Sequence, residues 1–414
     1  MHAPPKPLEQ QMSSRDPGAV VRRHSIGTID PHAPVVTGMA GARMETADGG
    51  HWFDASTGGF GAGHPEVTAA VAEQAGRVAL SSRILLSRPL AEAVEALDAF
   101  CPDPLTVSYL CNSGGEALDS ALKLAKGTHP DRSRVLGIAG ENFGTLTHGQ
   151  GLSTGATPVP VLPLMPVTVS GDRPESLLEQ VDATLAAVVL APAAPGRPLE
   201  RLSPQWWRAL RDRCTQHDVL LILDERLTAP ARLGWDLATQ ALGIVPDALI
   251  LGEALGADAV PVGVMVTSRA AYDRVYAGKN PSLHGSTFGA NPLSAAAVRA
   301  VLAVVAADGL ADRQRRAEDS ARRVLGDITS FGAVTEFCAD GGLVWLRLAS
   351  AEQAQALTAA LGEARILVRP PFGPDGDVVA VLPPLTADPA DLEQIHATVR
   401  AVAEEILTVR EVAA

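Results

Sequence analysis

TVSYLCNSGGEALDSALKLAKG, residues 106–127, contains a short β-branched and apolar run, a small-residue turn and an amphipathic run in direct succession. Short apolar runs alternate with amphipathic stretches in the same way from about residue 105 to residue 268, which is typical of βαβ units. Besides TVSYLCN, the predicted strands are RVLGIAG, AAVVLAP, VLLILDE, DALILGE and VGVMVTS. The pattern therefore predicts an α/β fold with a mainly parallel sheet flanked by helices.

The C-terminal part of the chain has a different, mixed pattern. A long helix is predicted within GSTFGANPLSAAAVRAVLAVVAADG, and short strands and helices alternate after it, which indicates a smaller α+β unit. The expected organisation is a flexible N-terminal arm over residues 1–33, a large domain over 34–300 and a small C-terminal domain over 301–414. The N-terminal segment of the large domain is expected to contribute to the small one.

Length, composition and charge exclude several classes of protein. A chain of 414 residues exceeds what one hydrophobic core usually holds, so a disulfide knot or a zinc finger is excluded. The net charge is −13 without a basic block, which argues against a nucleic-acid partner. No run approaches the roughly 20 apolar residues of a membrane helix, and the N-terminus lacks the apolar core of a signal peptide, so a cytoplasmic protein is expected. The four cysteines form no CxxC pair, so reduced thiols and no metal site are predicted.

Candidate site residues follow the predicted strands, because ligands bind at the carboxyl ends of strands in open parallel sheets. Ser113, Gly114 and Gly115 form a turn that feeds a helix N-terminus, whose free N–H groups suit a phosphate, although such a pattern is more often ordinary turn chemistry. Asp224 and Glu225 end a very apolar strand, where a carboxylate is costly unless it is partnered. At least one of them therefore points into a site, or the strand end is solvated.

Together these segments resemble the class III aminotransferases of pyridoxal-phosphate fold type I, from roughly Pro34 to the last helix. The motifs that carry the resemblance, in the family's order, are GGHWFDASTGGFGAGHPEVTAAV, LCNSGGEALDSALKLA, LLILDERLTAPARLG, PDALILGEALGADAVPVGV, HGSTFGANPLSAAAVRAVL and VVAVLPPL. The resemblance implies the family's fold, a small-molecule substrate and a homodimer with shared active sites.

Several family roles fall on matching residues. The resemblance implies that Ser113, Gly114 and Gly115 cradle the cofactor phosphate, and that Thr287 of the neighbouring subunit completes that cradle. It also implies that Asp224 pairs with the pyridine nitrogen of the cofactor.

The rest of the site departs from the family's pattern. Glu253 stands where the family has the lysine that forms the Schiff base, and a carboxylate cannot form one. Arg226 and Leu227 replace a ring-packing valine and a polar residue that reaches the phenolic oxygen. Asn142 replaces the stacking aromatic, unless a one-residue slip places Phe143 there. The family's EP glutamate and its substrate-binding arginine correspond to Ala191 and Ala380.

These departures favour an enzyme that works without pyridoxal phosphate, so either no cofactor or a noncovalently bound one is expected. Glu253 is then the general acid/base, Asp224 a second carboxylate and Arg226 an anion holder, in an elimination, isomerisation or cyclisation of a small anionic substrate in specialised metabolism. Because burying Arg226 and Glu253 unpaired is costly, their mutual pairing or a charged ligand is expected.

Two alternatives remain open from the residues. One is an enzyme that binds pyridoxal or pyridoxamine phosphate noncovalently, with Glu253 moving the proton. The other is a non-catalytic partner subunit of an active aminotransferase. The roles of His148, His284 and Lys279 are also open. Lys279 is the one lysine that could substitute for the missing one, although an exposed surface position is the more common role of such a residue.

Overall fold

The structure, a computed structural model, describes residues 20–21, 34–81, 85–138, 140–144, 146–154, 165–169, 175–277 and 285–408. The expected N-terminal arm therefore lies outside the described residues except for residues 20–21. Lys279 and His284 lie outside them as well.

The described strands and helices alternate along most of the chain. The strands are β1 (Val36–Ala40), β2 (Arg43–Thr46), β3 (His51–Asp54), β4 (Val107–Cys111), β5 (Arg134–Ile138), β6 (Met165–Val169), β7 (Leu185–Leu190), β8 (Leu220–Asp224), β9 (Ala248–Leu251), β10 (Gly263–Thr267), β11 (Val334–Asp340), β12 (Leu343–Leu348), β13 (Ile366–Leu367) and β14 (Val378–Val381). The α-helices are α1 (Pro65–Arg77), α2 (Arg88–Phe100), α3 (Gly114–Thr128), α4 (Thr147–Thr154), α5 (Glu175–Gln180), α6 (Pro204–His217), α7 (Thr239–Leu242), α8 (Arg269–Tyr276), α9 (Pro292–Asp308), α10 (Leu310–Leu325), α11 (Ala351–Glu363) and α12 (Pro389–Thr408).

A seven-stranded central sheet has the strand order β4-β10-β9-β8-β7-β5-β6. Strand β10 runs antiparallel to both of its neighbours, and the other neighbouring strands run parallel. The predicted α/β fold with a mainly parallel sheet is confirmed. Strands β7, β8 and β9 are buried throughout, as expected for a sheet covered on both faces.

Helices cover both faces of this sheet. One face packs on α1, α2, α6 and α9 through a cluster that includes Leu97, Trp207 and Val301. The other face packs on α3 and α8 through residues such as Leu122. Helix α9 begins at Pro292 rather than nearer Gly285, because proline suits the first helical turn and the Asn291 side chain accepts a hydrogen bond from the Ser294 N–H at 2.8 Å.

Two smaller sheets lie outside the central one. The first has the order β1-β2-β3-β13, so the short C-terminal strand β13 pairs in parallel with β3 from the N-terminal part. The second is the antiparallel sheet β11-β12-β14. Their shared core includes Ala55, Leu346, Leu357 and Val399. The domain division at residue 300 stays a prediction.

The four cysteines are free and buried, and burial raises the pKa of the Cys101 thiol to about 12. Within the described ranges, no group of three or more His, Cys, Asp or Glu side chains is arranged to hold a metal ion. No single helix of the described residues is long and apolar enough to cross a membrane. By length and composition alone, the bent pair Pro292–Asp308 and Leu310–Phe331 passes the same criterion.

Candidate active site

The site lies at one end of the central sheet, where β4 and β8 end and the chain leaves β9. Strands β8 and β9 are held in register there, because the Glu225 N–H donates to the Ile250 carbonyl at 2.9 Å. The sheet order brings Asp224 and Glu253 to the ends of adjacent strands, and Ser113 to the same edge of the sheet two strands beyond β9, although the three are far apart in sequence.

The turn after β4 presents the N-terminus of the 15-residue helix α3. Ser113 caps this helix, since its hydroxyl oxygen accepts a hydrogen bond from the Glu116 N–H at 3.2 Å. A Cβ atom at Gly114 would lie 2.3 Å from the Cδ of Arg226, and one at Gly263 would lie 2.1 Å from the Ser113 carbonyl oxygen. The turn is therefore packed too tightly for side chains at these two positions.

Arg226 forms a bidentate ion pair with Asp224. Its Nε donates to Oδ1 at 2.8 Å and its Nη2 donates to Oδ2 at 2.6 Å, while the Asp224 side chain is only 5% exposed. Nη2 also donates to the Asn142 carbonyl at 3.0 Å. Although burial lowers the pKa of Arg226, the charge and hydrogen bonds of Asp224 outweigh it and hold the pKa above its usual value. This pair is charged and fixed in one orientation.

Glu253 is exposed and opens a short 3-10 helix, Glu253–Gly256. Its side chain makes no hydrogen bond or ion pair with another residue of the described part. Its charge is close enough to contribute to the raised pKa of Arg226. The expected pairing of Arg226 with Glu253 is therefore wrong: Asp224, two residues from Arg226, satisfies the guanidinium instead.

Asn142 and Phe143 lie in different environments. The Phe143 side chain is 1% exposed and belongs to the core cluster with Leu152 and Val135. Asn142 is exposed, its side-chain oxygen accepts from the Gly144 N–H at 2.9 Å, and its carbonyl contacts Arg226. The one-residue slip is therefore wrong, and no aromatic side chain from this segment faces the site.

The loop before α9 contacts the turn from the same chain. The Ser286 hydroxyl oxygen accepts a hydrogen bond from Asn112 Nδ2 at 2.6 Å. Thr287 is exposed, and Phe288 is 55% exposed. Within the described part, Thr287 makes no hydrogen bond to the turn Ser113–Gly115 of its own chain. His148 lies apart from these residues on α4, 3.6 Å from the Asp119 carboxylate.

Two charged residues at neighbouring strand ends were missed at the sequence level. Glu141 follows β5 and Arg197 follows β7, and both lie in the wall of a cavity of about 470 Å³. Arg197 Nε donates to Glu141 Oε1 at 2.7 Å, and Glu141 Oε2 accepts from the Ala191 N–H at 3.2 Å. Their positions just after the predicted strands RVLGIAG and AAVVLAP were the available signal.

Glu225, the other strand-end carboxylate, turns away from the site. It is fully buried and accepts hydrogen bonds from the N–H groups of Ala238 and Thr239 and from the Thr228 hydroxyl. Burial raises its pKa to about 7 despite these bonds. Of the carboxylate pair, Asp224 is the member that belongs to the site.

The seven-stranded sheet, the capped turn after β4 and the aspartate that ends β8 define a fold type I aminotransferase. The chain belongs to the class III aminotransferase family, since the family model described as Aminotransferase class-III matches residues 29–402. It is 30% identical over 393 residues to the acetylornithine aminotransferase of Corynebacterium efficiens, and the aligned part covers 90% of this chain and 92% of that relative. It is 28% identical over 387 residues to the acetylornithine aminotransferase of Methanopyrus kandleri, across 92% and 96% of the two chains.

Solved structures agree with this assignment. An ornithine aminotransferase from Toxoplasma gondii is 25% identical and superposes with a TM-score of 0.82 over 95% of both chains. That structure is described as having partial occupancy of PLP at its active site.

The hypothesis of chemistry without pyridoxal phosphate is wrong. Relatives matched over nine tenths of the chain are named aminotransferases, and they point to transamination with pyridoxal phosphate rather than to elimination, isomerisation or cyclisation. The expectation of no cofactor is wrong for the same reason. Both errors gave the identities of Glu253 and Arg226 more weight than the capped turn and Asp224.

Pyridoxal phosphate fits one end of this site and not the other. The α3 N-terminus suits its phosphate, but the Arg226 side chain holds both oxygens of Asp224. Glu253 has no amine, and the two lysines in the described part lie elsewhere on α3: Lys123 is exposed, and Lys126 donates to the Pro130 and Arg132 carbonyls. Within the part of the chain that the structure describes, the residues as they lie do not fit the cofactor ring or its covalent attachment, and we derive no chemical step through it.

Proposed function

We propose that this chain is an atypical aminotransferase-family enzyme that binds pyridoxal phosphate noncovalently and acts on an amino group of a small molecule. Family membership over most of the chain and the capped turn Ser113–Gly115 support the cofactor. The carboxylate of Glu253, exposed at the end of β9 where the family's lysine is expected, supports the atypical part. This single residue is the observation that carries the proposal.

The chain's own residues have separable roles in this proposal. The N–H groups at the start of α3 bind the phosphate. Asp224 is the anionic partner for a cationic group, at present Arg226. Glu253 accepts and returns a proton at its carboxylate oxygens, which is work that a correctly placed carboxylate can do. Ala380 is buried in β14 and offers no charge, so a substrate carboxylate is bound elsewhere or is absent.

The test compares this chain with the Corynebacterium efficiens acetylornithine aminotransferase as the positive control. Both proteins are equilibrated with pyridoxal phosphate, dialysed, reduced with borohydride and mapped by peptide mass spectrometry, and both are assayed with a panel of small amines and 2-oxo acids. We expect cofactor binding by both proteins, but reduction onto a lysine only in the relative. A pyridoxyl-lysine peptide from this chain, or a failure to bind the cofactor at millimolar concentration, would overturn the proposal.

We also propose that the enzyme is a homodimer. Thr287 and the 55% exposed Phe288 lie on a loop held against the turn by Ser286, and Thr287 is free to reach a second copy. Sedimentation at micromolar concentration is expected to give a dimer, and Phe288→Asp is expected to shift it toward monomer. A monomeric parent protein would overturn this proposal without touching the previous one.

A further inference from the structure

We infer that the Arg226 side chain occupies the part of the site beside Asp224 where the ring of pyridoxal phosphate would lie. The ring then binds only after Arg226 leaves Asp224. The inference rests on the proposed function for the identity of the ligand. It concerns binding alone and involves no covalent step.

The backbone packed around Arg226 leaves room for its side chain because glycines lie at the points of closest approach. Three glycines line it: a Cβ atom at Gly114 would lie 2.3 Å from Arg226 Cδ, one at Gly252 would lie 3.0 Å from Arg226 Cβ, and one at Gly144 would lie 3.4 Å from Nη1. The side chain runs from β8 across the phosphate-cradle turn and ends on the Asn142 carbonyl. A flat ring cannot occupy this space while the guanidinium is there.

Displacing Arg226 from Asp224 is unfavourable unless another cation takes its place. Asp224 is 5% exposed and both of its oxygens are engaged by Arg226. Removal of one partner from a buried ion pair leaves an uncompensated charge, which is strongly unfavourable. A protonated ring nitrogen restores a cation beside Asp224, so the ligand exchanges one cation for another. Among the described residues, Arg226 contacts no carboxylate other than Asp224.

The exchange lowers the affinity for the ring. When only a fraction of the molecules is competent, the apparent dissociation constant is the intrinsic one divided by that fraction. A minor state populated at about 1–10% therefore weakens binding by about 10- to 100-fold. Inorganic phosphate is not expected to gain from the loss of Arg226, because it has no ring to place beside Asp224 and the substitution removes a cation that lies against the start of α3.

The experiment measures binding to the full-length protein by equilibrium dialysis, with pyridoxal phosphate and inorganic phosphate as separate probes. In Arg226→Val, pyridoxal phosphate is expected to bind about 10-fold tighter or more, whereas inorganic phosphate binds no tighter than to the parent. The matched control is Arg211→Val, which removes an arginine that also pairs with an aspartate, Asp247 at 2.7 Å, outside the site. It is expected to change neither affinity.

A second variant keeps the inference testable if Arg226→Val does not fold. Arg226→Gln keeps a hydrogen-bond donor near Asp224 but removes the charge, and we expect pyridoxal phosphate to bind about 3-fold tighter or more. Circular dichroism and thermal melting establish that each variant is folded before dialysis.

Two outcomes separate this inference from the proposed function. If the parent and Arg226→Val bind pyridoxal phosphate equally, or if both probes tighten together, the occupancy inference is overturned and the proposed function stands. If neither folded protein binds either probe at millimolar concentration, the proposed function fails and the inference fails with it.

Discussion

Arg197 and Glu141 form an ion pair in the wall of the cavity beside β5 and β7, with their side chains only 7% and 4% exposed. Arg197 also donates to the carbonyls of Ala191 and Pro192, so it ties the segment after β7 to the segment after β5. A buried pair of this kind holds the two strand ends in fixed positions. Burial raises the pKa of Glu141 and the charge of Asp224 raises it further, although Arg197 opposes the shift.

Loss of Arg197 is expected to destabilise the fold strongly. Arg197→Ala leaves Glu141 buried without its cation, and such truncations cost about 3–5 kcal/mol in the free energy of unfolding. Urea denaturation measures the change. Arg323→Ala is the control, because the Arg323–Glu393 pair is exposed on both sides and is worth less than about 1 kcal/mol. Equal, small losses in the two variants would contradict the expectation.

The free energy of unfolding should depend on the ionisation of Glu225. Burial raises the pKa of this carboxyl to about 7, so the folded protein binds a proton more tightly than the unfolded chain does. The stabilisation from Glu225 is therefore full below its unfolded pKa and is lost as the pH rises toward 7. A shift of this size corresponds to about 3 kcal/mol.

Glu225→Gln isolates this contribution. Urea denaturation between about pH 4 and pH 8 should show the variant becoming more stable relative to the parent as the pH rises, by up to about 3 kcal/mol. The same substitution at the exposed Glu66 serves as the matched control. A constant difference between Glu225→Gln and the parent across this range would contradict the expectation.

Gly114→Ala should be destabilising, in contrast to a helical glycine with open space. The added Cβ at Gly114 meets Arg226 Cδ at 2.3 Å, and overpacking of this kind costs about 1–3 kcal/mol. Gly76, near the end of α1, has nothing within 4 Å of its Cβ position, so Gly76→Ala should stabilise by about 0.5–1 kcal/mol. Thermal or urea unfolding distinguishes the two, and the same sign for both would refute the packing argument.

Glu253 variants test the proposed chemistry. Glu253→Gln should lower kcat by about 100- to 10,000-fold on an accepted substrate, because it removes the titrating proton, while stability changes by less than about 0.5 kcal/mol at this exposed position. Steady-state kinetics and urea unfolding on the same preparation measure both. Full activity in the Gln variant would make Glu253 a passive residue.

A lysine can be introduced at residue 253 with and without Arg226. Glu253→Lys alone should bind cofactor poorly, because Arg226 still holds Asp224 and repels a new ammonium. Glu253→Lys combined with Arg226→Val should give a protein from which borohydride reduction yields a pyridoxyl peptide containing residue 253. Equal yields from the single and double variants would show that Arg226 does not obstruct the ring.

Much of the fold was predictable because its signals are local. The apolar runs of β7, β8 and β9 match their complete burial, and a helix follows β4 as predicted, although Gly114 and Gly115 belong to its first turn rather than to a turn before it. The antiparallel direction of β10 was not predictable from its own residues, since a buried strand has the same composition in either direction. The start of α9 at Pro292 depends on capping by Asn291, which the apolar periodicity did not reveal.

The sequence by itself determined the α/β architecture, the small-residue segment that leads from β4 into a helix, and the positions of Arg226 and Glu253 just after strands of the same sheet, because periodicity and turn chemistry act over a few residues. Only the tertiary structure decided how the charges pair. Asp224 rather than Glu253 binds Arg226, and Glu141 binds Arg197 56 residues away. An ion pair forms where an arginine and a carboxylate lie close together at one edge of the sheet, and it is strongest where both carboxylate oxygens accept from the guanidinium. That geometry exists only once the sheet has formed.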